Sequence, residues 1–154
     1  MGSRVSVIIP VYNAARYLEE TLASVFAQTY RDFEIIVVND GSTDDSARLL
    51  APYAREGRIR CFDQSNAGVS TARNRALWEA GGELVAFLDA DDLWLPEKLE
   101  KQVRLLTLQP RVDLVYADMI NFYPEGDEPR SLFQEKPPAT GWVLDRLFYG
   151  NFIL

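Results

Sequence analysis

Short, dense runs of apolar residues alternate along the chain with longer stretches whose apolar positions recur every three to four residues. Val5-Ser6-Val7-Ile8-Ile9 is one such run, β-branched and closed by Pro10, with too few polar positions to leave a face in water. It predicts a central strand covered on both sides. After Asn13, the residues Leu18, Leu22, Val25 and Phe26 fall at i, i+4, i+7 and i+8, which predicts an amphipathic helix over 14–28 with Asn13 as its N-cap. Residues 33–38 repeat the strand pattern and end at Asn39-Asp40-Gly41, with Ser42 or Thr43 placed to cap a helix over 44–55. Residues 59–62 form a weaker third strand, Asn66-Ala67-Gly68 turns into a helix over about 69–80, and Gly81-Gly82 stops it. A fourth strand at 84–88 runs into Asp89-Ala90-Asp91-Asp92, and Pro96 opens a helix with Leu99, Val103 and Leu106 on one face. Residues 112–116 read as a fifth strand.

Strands alternating with helices at this spacing predict βαβ crossovers, and so an α/β fold with a mostly parallel sheet and helices on both faces. Ligands in such sheets bind at the carboxyl ends of the strands. Residues 124–141 are polar and Pro-rich and read as a long connection, followed by a short helix carrying Val143, Leu144, Leu147 and Phe148. The chain closes on apolar Asn151-Phe152-Ile153-Leu154, which predicts a C-terminal truncation whose exposed apolar edge favours self-association. At 154 residues the length fits a single domain spanning 1–154.

Composition narrows the chemistry. Sixteen basic against 23 acidic residues give a net charge of -7, which opposes attraction to nucleic-acid phosphates. There is no His and one cysteine, Cys61, so His-based triads, Cys/His zinc clusters and an internal disulfide are excluded. Acid–base work must fall to carboxylates. No apolar run approaches the ~18 residues of a membrane span, and the N-terminus lacks a signal-type stretch. The chain reads as soluble and cytoplasmic, and a longer form would be free to act at the cytoplasmic face of a membrane.

Three carboxylates stand at predicted strand tips: Asp40 after the second strand, and Asp89 with Asp91 after the fourth. On an extended chain Asp89 and Asp91 point to the same side at ~6.5–7 Å, close enough to serve one hard cation. With Asp92 alongside, mutual repulsion calls for a positive partner: a divalent metal, an arginine such as Arg73, or both. Mg²⁺ and Mn²⁺ take oxygen ligands, commonly one or two carboxylates plus substrate phosphates, which points to a nucleoside diphosphate. Capping is the alternative role for such aspartates, although Pro96 makes Leu95 the cap position and leaves Asp89 and Asp91 too early for it. Asp40 has the acceptors to take the imide N–H of uracil or thymine, or equally to close an Asx-turn before Gly41. Tyr12 offers a face for stacking on a base or a packing surface. Asn66 and Gly68 frame a helix N-terminus whose N–H groups suit an anion, while Gly68 also serves a turn with positive φ. Arg75 reads as a solvated surface residue, and Trp78, Trp94 and Trp142 as packing residues.

Four segments, taken together, carry a resemblance: Val5-Ser6-Val7-Ile8-Ile9-Pro10-Val11-Tyr12-Asn13; Glu34 to Asp44 through Asn39-Asp40-Gly41-Ser42-Thr43; Asn66-Ala67-Gly68-Val69-Ser70-Thr71-Ala72-Arg73-Asn74; and Phe87-Leu88-Asp89-Ala90-Asp91-Asp92. In this order they resemble family 2 glycosyltransferases of the GT-A fold, a Rossmann-like three-layer α/β/α sandwich, firmly over about 4–109 and more loosely beyond. The resemblance implies a metal-dependent, inverting, hexosyltransferase-type enzyme moving sugar from a UDP- or dTDP-sugar to an acceptor hydroxyl of a saccharide, lipid-linked or protein acceptor. It fits polysaccharide or cell-envelope biosynthesis.

By position, the resemblance places Pro10, Tyr12 and Asn13 at the base pocket and Asp40 on the uracil or thymine ring. Asn66, Gly68, Arg73 and Ala90 join the donor site. Asp89-Ala90-Asp91 matches the DXD motif, with Asp91 holding Mn²⁺ or Mg²⁺ and Asp89 near the ribose or the metal shell. Family members continue into an acceptor-binding region that supplies a carboxylate base, which is expected beyond Leu154; Asp118 is the only substitute in view, and a turn or surface role suits it as well. The 154 residues are therefore expected to bind donor and to transfer sugar poorly. A non-catalytic nucleotide-sugar-binding module is the alternative. A sugar nucleotidyltransferase is less favoured, because Val11-Tyr12-Asn13-Ala14-Ala15 replaces the Gly-rich basic loop that chemistry needs.

Overall fold

The computed structural model describes residues 4–121, 130–135 and 138–143. They fall into two compact units, residues 1–108 and 109–154. The first unit is a four-stranded sheet in the order β3-β2-β1-β4, made of β1 (Val5–Val11), β2 (Phe33–Asp40), β3 (Arg60–Gln64) and β4 (Leu84–Phe87). Every pair in it is parallel. The connecting helices are α1 (Leu18–Phe26), α2 (Ser46–Arg55) and α3 (Val69–Glu79), and α4 (Lys98–Leu108) follows β4.

β1 is interior and buried at all seven positions, as its sequence predicts. Val5, Val7, Ile9 and Val11 face one layer with Ile35 and Val37 of β2, packed by Leu18, Leu22 and Val25 of α1, Leu50 of α2, and Leu99 and Val103 of α4. Ile8, Ile36 and Val38 face the other layer, where Ala72 and Ala76 let α3 lie close on the sheet. Helices thus cover both faces, the three-layer arrangement expected. β1 does not stop at Pro10 but runs to Val11. The Ile8 carbonyl accepts from the Leu88 amide (3.0 Å), so Pro10, two residues on, turns its missing N–H to the same side. There β4 has already ended, its last partner Phe87 standing opposite Ile8, so no ladder bond is lost.

Three helix starts differ from expectation, the third being α4, which Pro96 was expected to open. α1 begins at Leu18 rather than 14, and Asn13 is not its cap: Asn13 adopts φ 51° and its side chain is engaged elsewhere. α2 begins at Ser46 rather than 44, with Asp45 at the cap position and no side-chain cap bond, so neither Ser42 nor Thr43 caps it. α4 starts at Lys98, after a turn closed by the Lys98 amide on the Leu95 carbonyl (3.0 Å). In each case local hydrogen bonds from the preceding loop take the groups that a cap would have used.

In the second unit the expected strand at 112–116 is absent. A strand needs a backbone partner, and the ladder among the described residues there is a two-residue antiparallel pair, β5 (Ile120–Asn121) with β6 (Arg130–Ser131). Leu114 is 49% exposed, so that apolar run does not enter a core. β6 and the short α5 (Leu132–Glu135) lie inside the stretch expected to be an unstructured connection. The helix expected from Val143 to Phe148 lies, after Val143, outside the described residues, as do Asn151 to Leu154.

Candidate functional site

Because β2 and β3 extend the sheet on one side of β1 and β4 on the other, the strand order reverses between β1 and β4. The carboxyl ends of two adjacent strands flanking such a reversal diverge and leave a crevice. An open cleft of about 330 Å³ lies there. Pro10, Tyr12, Asn13, Arg73, Asp89, Ala90 and Asp91 line it, together with Ala14, Tyr17 and Val69; Asp40, Asn66 and Gly68 do not. Tyr12 is 53% exposed, presenting its ring to the cleft rather than packing it away.

The wall formed by residues 12–17 is fixed by the loop after β2. Asn13 Oδ1 accepts from the Thr43 and Asp44 amides (2.8 and 3.3 Å). In return the Asn13 amide donates to Ser42 Oγ (3.0 Å), the Ala14 amide to Ser46 Oγ (3.0 Å) and the Ala15 amide to Asp44 Oδ2 (3.0 Å). Sequence reading assigned Ser42 and Thr43 to capping and did not foresee this role. The signal was the density of short polar side chains at 42–46, more than one helix cap can use.

Asp40 is 3% exposed and ties a second loop. Its Oδ1 accepts from Gln64 Nε2 (2.7 Å) and the Ala67 amide (2.9 Å), and its Oδ2 from the Gly68 amide (2.8 Å). Burial alone would raise its carboxyl, but these three hydrogen bonds outweigh burial and hold it below the usual carboxylate range. Three of its roughly four acceptor positions are thus occupied. The Ala67 and Gly68 amides are spent on Asp40, so the anion site expected between Asn66 and Gly68 does not have them to offer. Asp40 does not close the Asx-turn considered for it; the amide of Ser42 donates instead to Asn39 Oδ1, three residues back (3.2 Å). Gly41 makes the close approach possible: at φ 71°, a Cβ there would stand 2.7 Å from the Asn66 amide nitrogen.

Across the cleft, Arg73 of α3 pairs with Asp89 (2.5 Å), both side chains partly exposed. Arg73 Nε is buried and without a hydrogen-bond partner. The carboxylates turn at 89–92, where the Asp92 amide donates to the Asp89 carbonyl (3.1 Å). Burial, then the charges of Asp91 and Asp89, push the Asp92 carboxyl up. The positive partner expected for the cluster is therefore present for Asp89, as Arg73. Among the described residues no group of three or more His, Cys, Asp or Glu side chains is gathered to hold a metal. Asp89 and Asp91 supply two hard oxygen donors facing an open cleft, the partial ligand set that Mg²⁺ or Mn²⁺ completes with water and diphosphate oxygens. The residues present fit such an ion.

The acidic turn is braced by Thr21 and Ser24 of α1 and by Gln28 just beyond the helix's end, a role unforeseen from sequence. Of the tryptophans, Trp94 packs in the core as expected, with Lys98 Nζ 3.9 Å over its ring. Burial lowers that lysine to about 8. Trp78 and Trp142, expected to pack, are 89% and 75% exposed; Ala72 and Ala76 take the sheet-facing side of α3 and leave Trp78 turned out. Arg75 is not simply solvated, since it donates to the Asp63 carbonyl (2.6 Å). In the second unit, Asp118 accepts from the Met119 and Phe133 amides (both 2.9 Å) and from the Ser131 hydroxyl, which fixes the start of α5.

Solved structures share this fold. S. aureus TarS bound to UDP-GlcNAc matches with a TM-score of 0.64 at 33% identity, over 68% of this chain and 31% of that one. The mannosyltransferase PcManGT from Pyrobaculum calidifontis, in complex with GDP-Man and Mn²⁺, matches with a TM-score of 0.61 at 33% identity, over 69% of this chain and 33% of that one. The parallel sheet, its helix layers and these neighbours define the class as a GT-A glycosyltransferase fold. The chain belongs to glycosyl transferase family 2, whose model matches residues 6–147. It is 45% identical over 104 residues to the putative teichuronic acid biosynthesis glycosyltransferase TuaG of Bacillus subtilis, covering 66% of this chain and 41% of TuaG. It is 43% identical over 104 residues to an uncharacterized glycosyltransferase of Rickettsia felis, covering 68% of this chain and 17% of that protein. The chain thus spans well under half the length of the relatives it matches. No helix among the described residues is long and apolar enough to cross a membrane.

Proposed function

We propose that this chain is the donor-binding part of a metal-dependent, inverting glycosyltransferase that uses a UDP- or dTDP-sugar. The observation that carries the reading is the convergence of Tyr12, Arg73, Asp89 and Asp91 on one cleft at the strand-order reversal. Tyr12 offers its exposed ring to the base, with Pro10 beside it. Arg73 stands where a diphosphate would lie and carries a buried Nε–H with no partner in the protein, a donor suited to a phosphate oxygen. Asp91, with Asp89, would hold Mn²⁺ or Mg²⁺. Bound there, the cation would stabilise the charge that the departing nucleoside diphosphate gains, by several kcal/mol. Asp40 contributes indirectly, by anchoring the start of α3, the helix that carries Arg73.

Inverting transfer also needs a base within hydrogen-bond reach of the acceptor hydroxyl. Asp89 and Asp91 are assigned to the cation, with one Asp89 oxygen also paired to Arg73, and Asp118 is bonded to the start of α5. We assign the base to polypeptide outside these 154 residues, in keeping with relatives longer than this chain, and expect donor binding with little transfer from this chain alone. Calorimetric titration of UDP in Mn²⁺, in EDTA, and into Asp91→Ala tests the reading, with GDP as a comparison. Metal-dependent UDP binding lost in Asp91→Ala supports it. UDP binding that survives both EDTA and the substitution refutes the metal assignment, and GDP binding more tightly than UDP refutes the base assignment.

A further inference from the structure

The stretch 88–97 carries Asp89 and Asp91 and contains neither helix nor strand. Its backbone is held at the two ends, by the Leu88 amide on the Ile8 carbonyl (3.0 Å) and the Thr29 amide on the Pro96 carbonyl (2.8 Å), and by one turn bond from the Asp92 amide to the Asp89 carbonyl (3.1 Å). Between those ends, side chains of α1 and of the turn after it take further backbone groups. Thr21 Oγ1 donates to the Ala90 carbonyl (2.9 Å), and Ser24 Oγ accepts from the Trp94 amide (3.2 Å). Gln28 Nε2 donates to the Leu95 carbonyl (2.9 Å), while its Oε1 accepts from the Leu99 amide (3.0 Å) in the first turn of α4. Thr21 and Ser24, three residues apart, lie along one side of α1, and Gln28 reaches the same stretch from just beyond the helix's end.

Thr21 and Gln28 are fully buried, at 0% exposure, next to Leu22 and Val25. A hydroxyl and a carboxamide in such a layer are costly unless paired, and packing alone would be served better by Val or Leu. Each instead meets a backbone group of the acidic turn or its flank.

We propose that Thr21, Ser24 and Gln28 are positioning residues for the acidic turn, setting where Asp89 and Asp91 stand and so the affinity for the metal–diphosphate part of the donor, but not for its base. This rests on the donor-binding reading above. The test uses Thr21→Val, which keeps shape and removes the hydroxyl; Thr21→Ser, which restores it; and Ser24→Ala at a half-buried position where folding is not at stake. Three quantities are measured: affinity for UDP with Mn²⁺, affinity for uridine by NMR titration, and amide hydrogen exchange across residues 90–95 in the protein alone.

The expected result is weakening of UDP–Mn²⁺ binding by about tenfold, the size typical of lost support behind metal ligands, with uridine affinity unchanged. Faster exchange in the turn should accompany it, and Thr21→Ser should recover both. A purely structural role would lower thermal stability while leaving the affinity of the folded protein, and its ratio to uridine affinity, untouched. That outcome overturns the proposal, as does equal weakening of UDP and uridine. If Thr21→Val does not fold, Ser24→Ala decides by the same criteria. A wild-type chain that does not bind UDP with Mn²⁺ refutes the donor reading itself, and the inference falls with it.

Discussion

A carboxylate at 3% exposure is stable only if its oxygens find donors, and Asp40 finds three on a loop 24 to 28 residues away in sequence. Asp40→Asn places an amide NH₂ where a backbone or Gln64 N–H now points, and should cost roughly 2–3 kcal/mol in chemical denaturation. A variant as stable as the wild type would show that the 66–68 loop is held by something else. Cys61 is the reverse case: burial, then the charge of Asp63, push its thiol up to about 11. At neutral pH it should alkylate far more slowly than a free cysteine, regaining reactivity on unfolding. Prompt labelling of the native protein would contradict the shielding assigned to the half-buried Cys61 in β3. Neither role was visible in sequence, where Asp40 looked like a ligand residue or an Asx-turn. A local pattern cannot show that a strand-tip carboxylate meets a loop from the next crossover.

At the scale of elements, the strands were most legible and the loops least. β1 and β2 announce themselves through continuous β-branched runs, because strands buried on both faces leave no polar positions. Helix boundaries shifted wherever a loop found partners outside itself: Asn13 turned from capping α1 to binding the 43–44 backbone, and α1 lost its first turn. The 112–116 run shows the opposite failure, apolar content without a ladder partner. Elements are also joined by Glu34 of β2, one-tenth exposed, which accepts from Ser6 of β1 (2.8 Å), the Gly81 amide (2.8 Å) and Arg60 of β3 (3.3 Å). Burial would raise its carboxyl, but these bonds, with Arg4 nearby, hold it below its ordinary value, as the hydrogen bonds do for Asp40.

A lowered folded pKa gives stability that is fully present above the unfolded value, near about 4, and is lost as pH falls through the lowered one. Thermal midpoints should hold steady down to about pH 5 and decline below it, with a shallower decline in Glu34→Gln. A midpoint that rises on acidification would contradict the assigned direction for both groups.

At the scale of the whole molecule, the sheet order decides where chemistry can happen. β1, β2 and β3 step one way and β4 the other, so Tyr12 and Asp91, 79 positions apart by number, face one cleft. That meeting was legible in advance as far as the acidic turn and the aromatic residue both sit at strand tips, where parallel sheets bind ligands; the strand order that makes the two tips neighbours was not. The bracing of the turn by α1 was not legible, since periodicity counts polar residues in a buried stripe as noise. The central claim is the location of one metal–diphosphate site. Amide NMR of the chain with UDP and substoichiometric Mn²⁺ tests it most directly, since paramagnetic broadening reports distance from the ion. The account predicts broadening centred on Asp89–Asp92, reaching Tyr12 and Arg73 and sparing Glu34 and Gly81 at the far end of the sheet. Broadening centred elsewhere, or equal with and without UDP at scattered surface carboxylates, would contradict it.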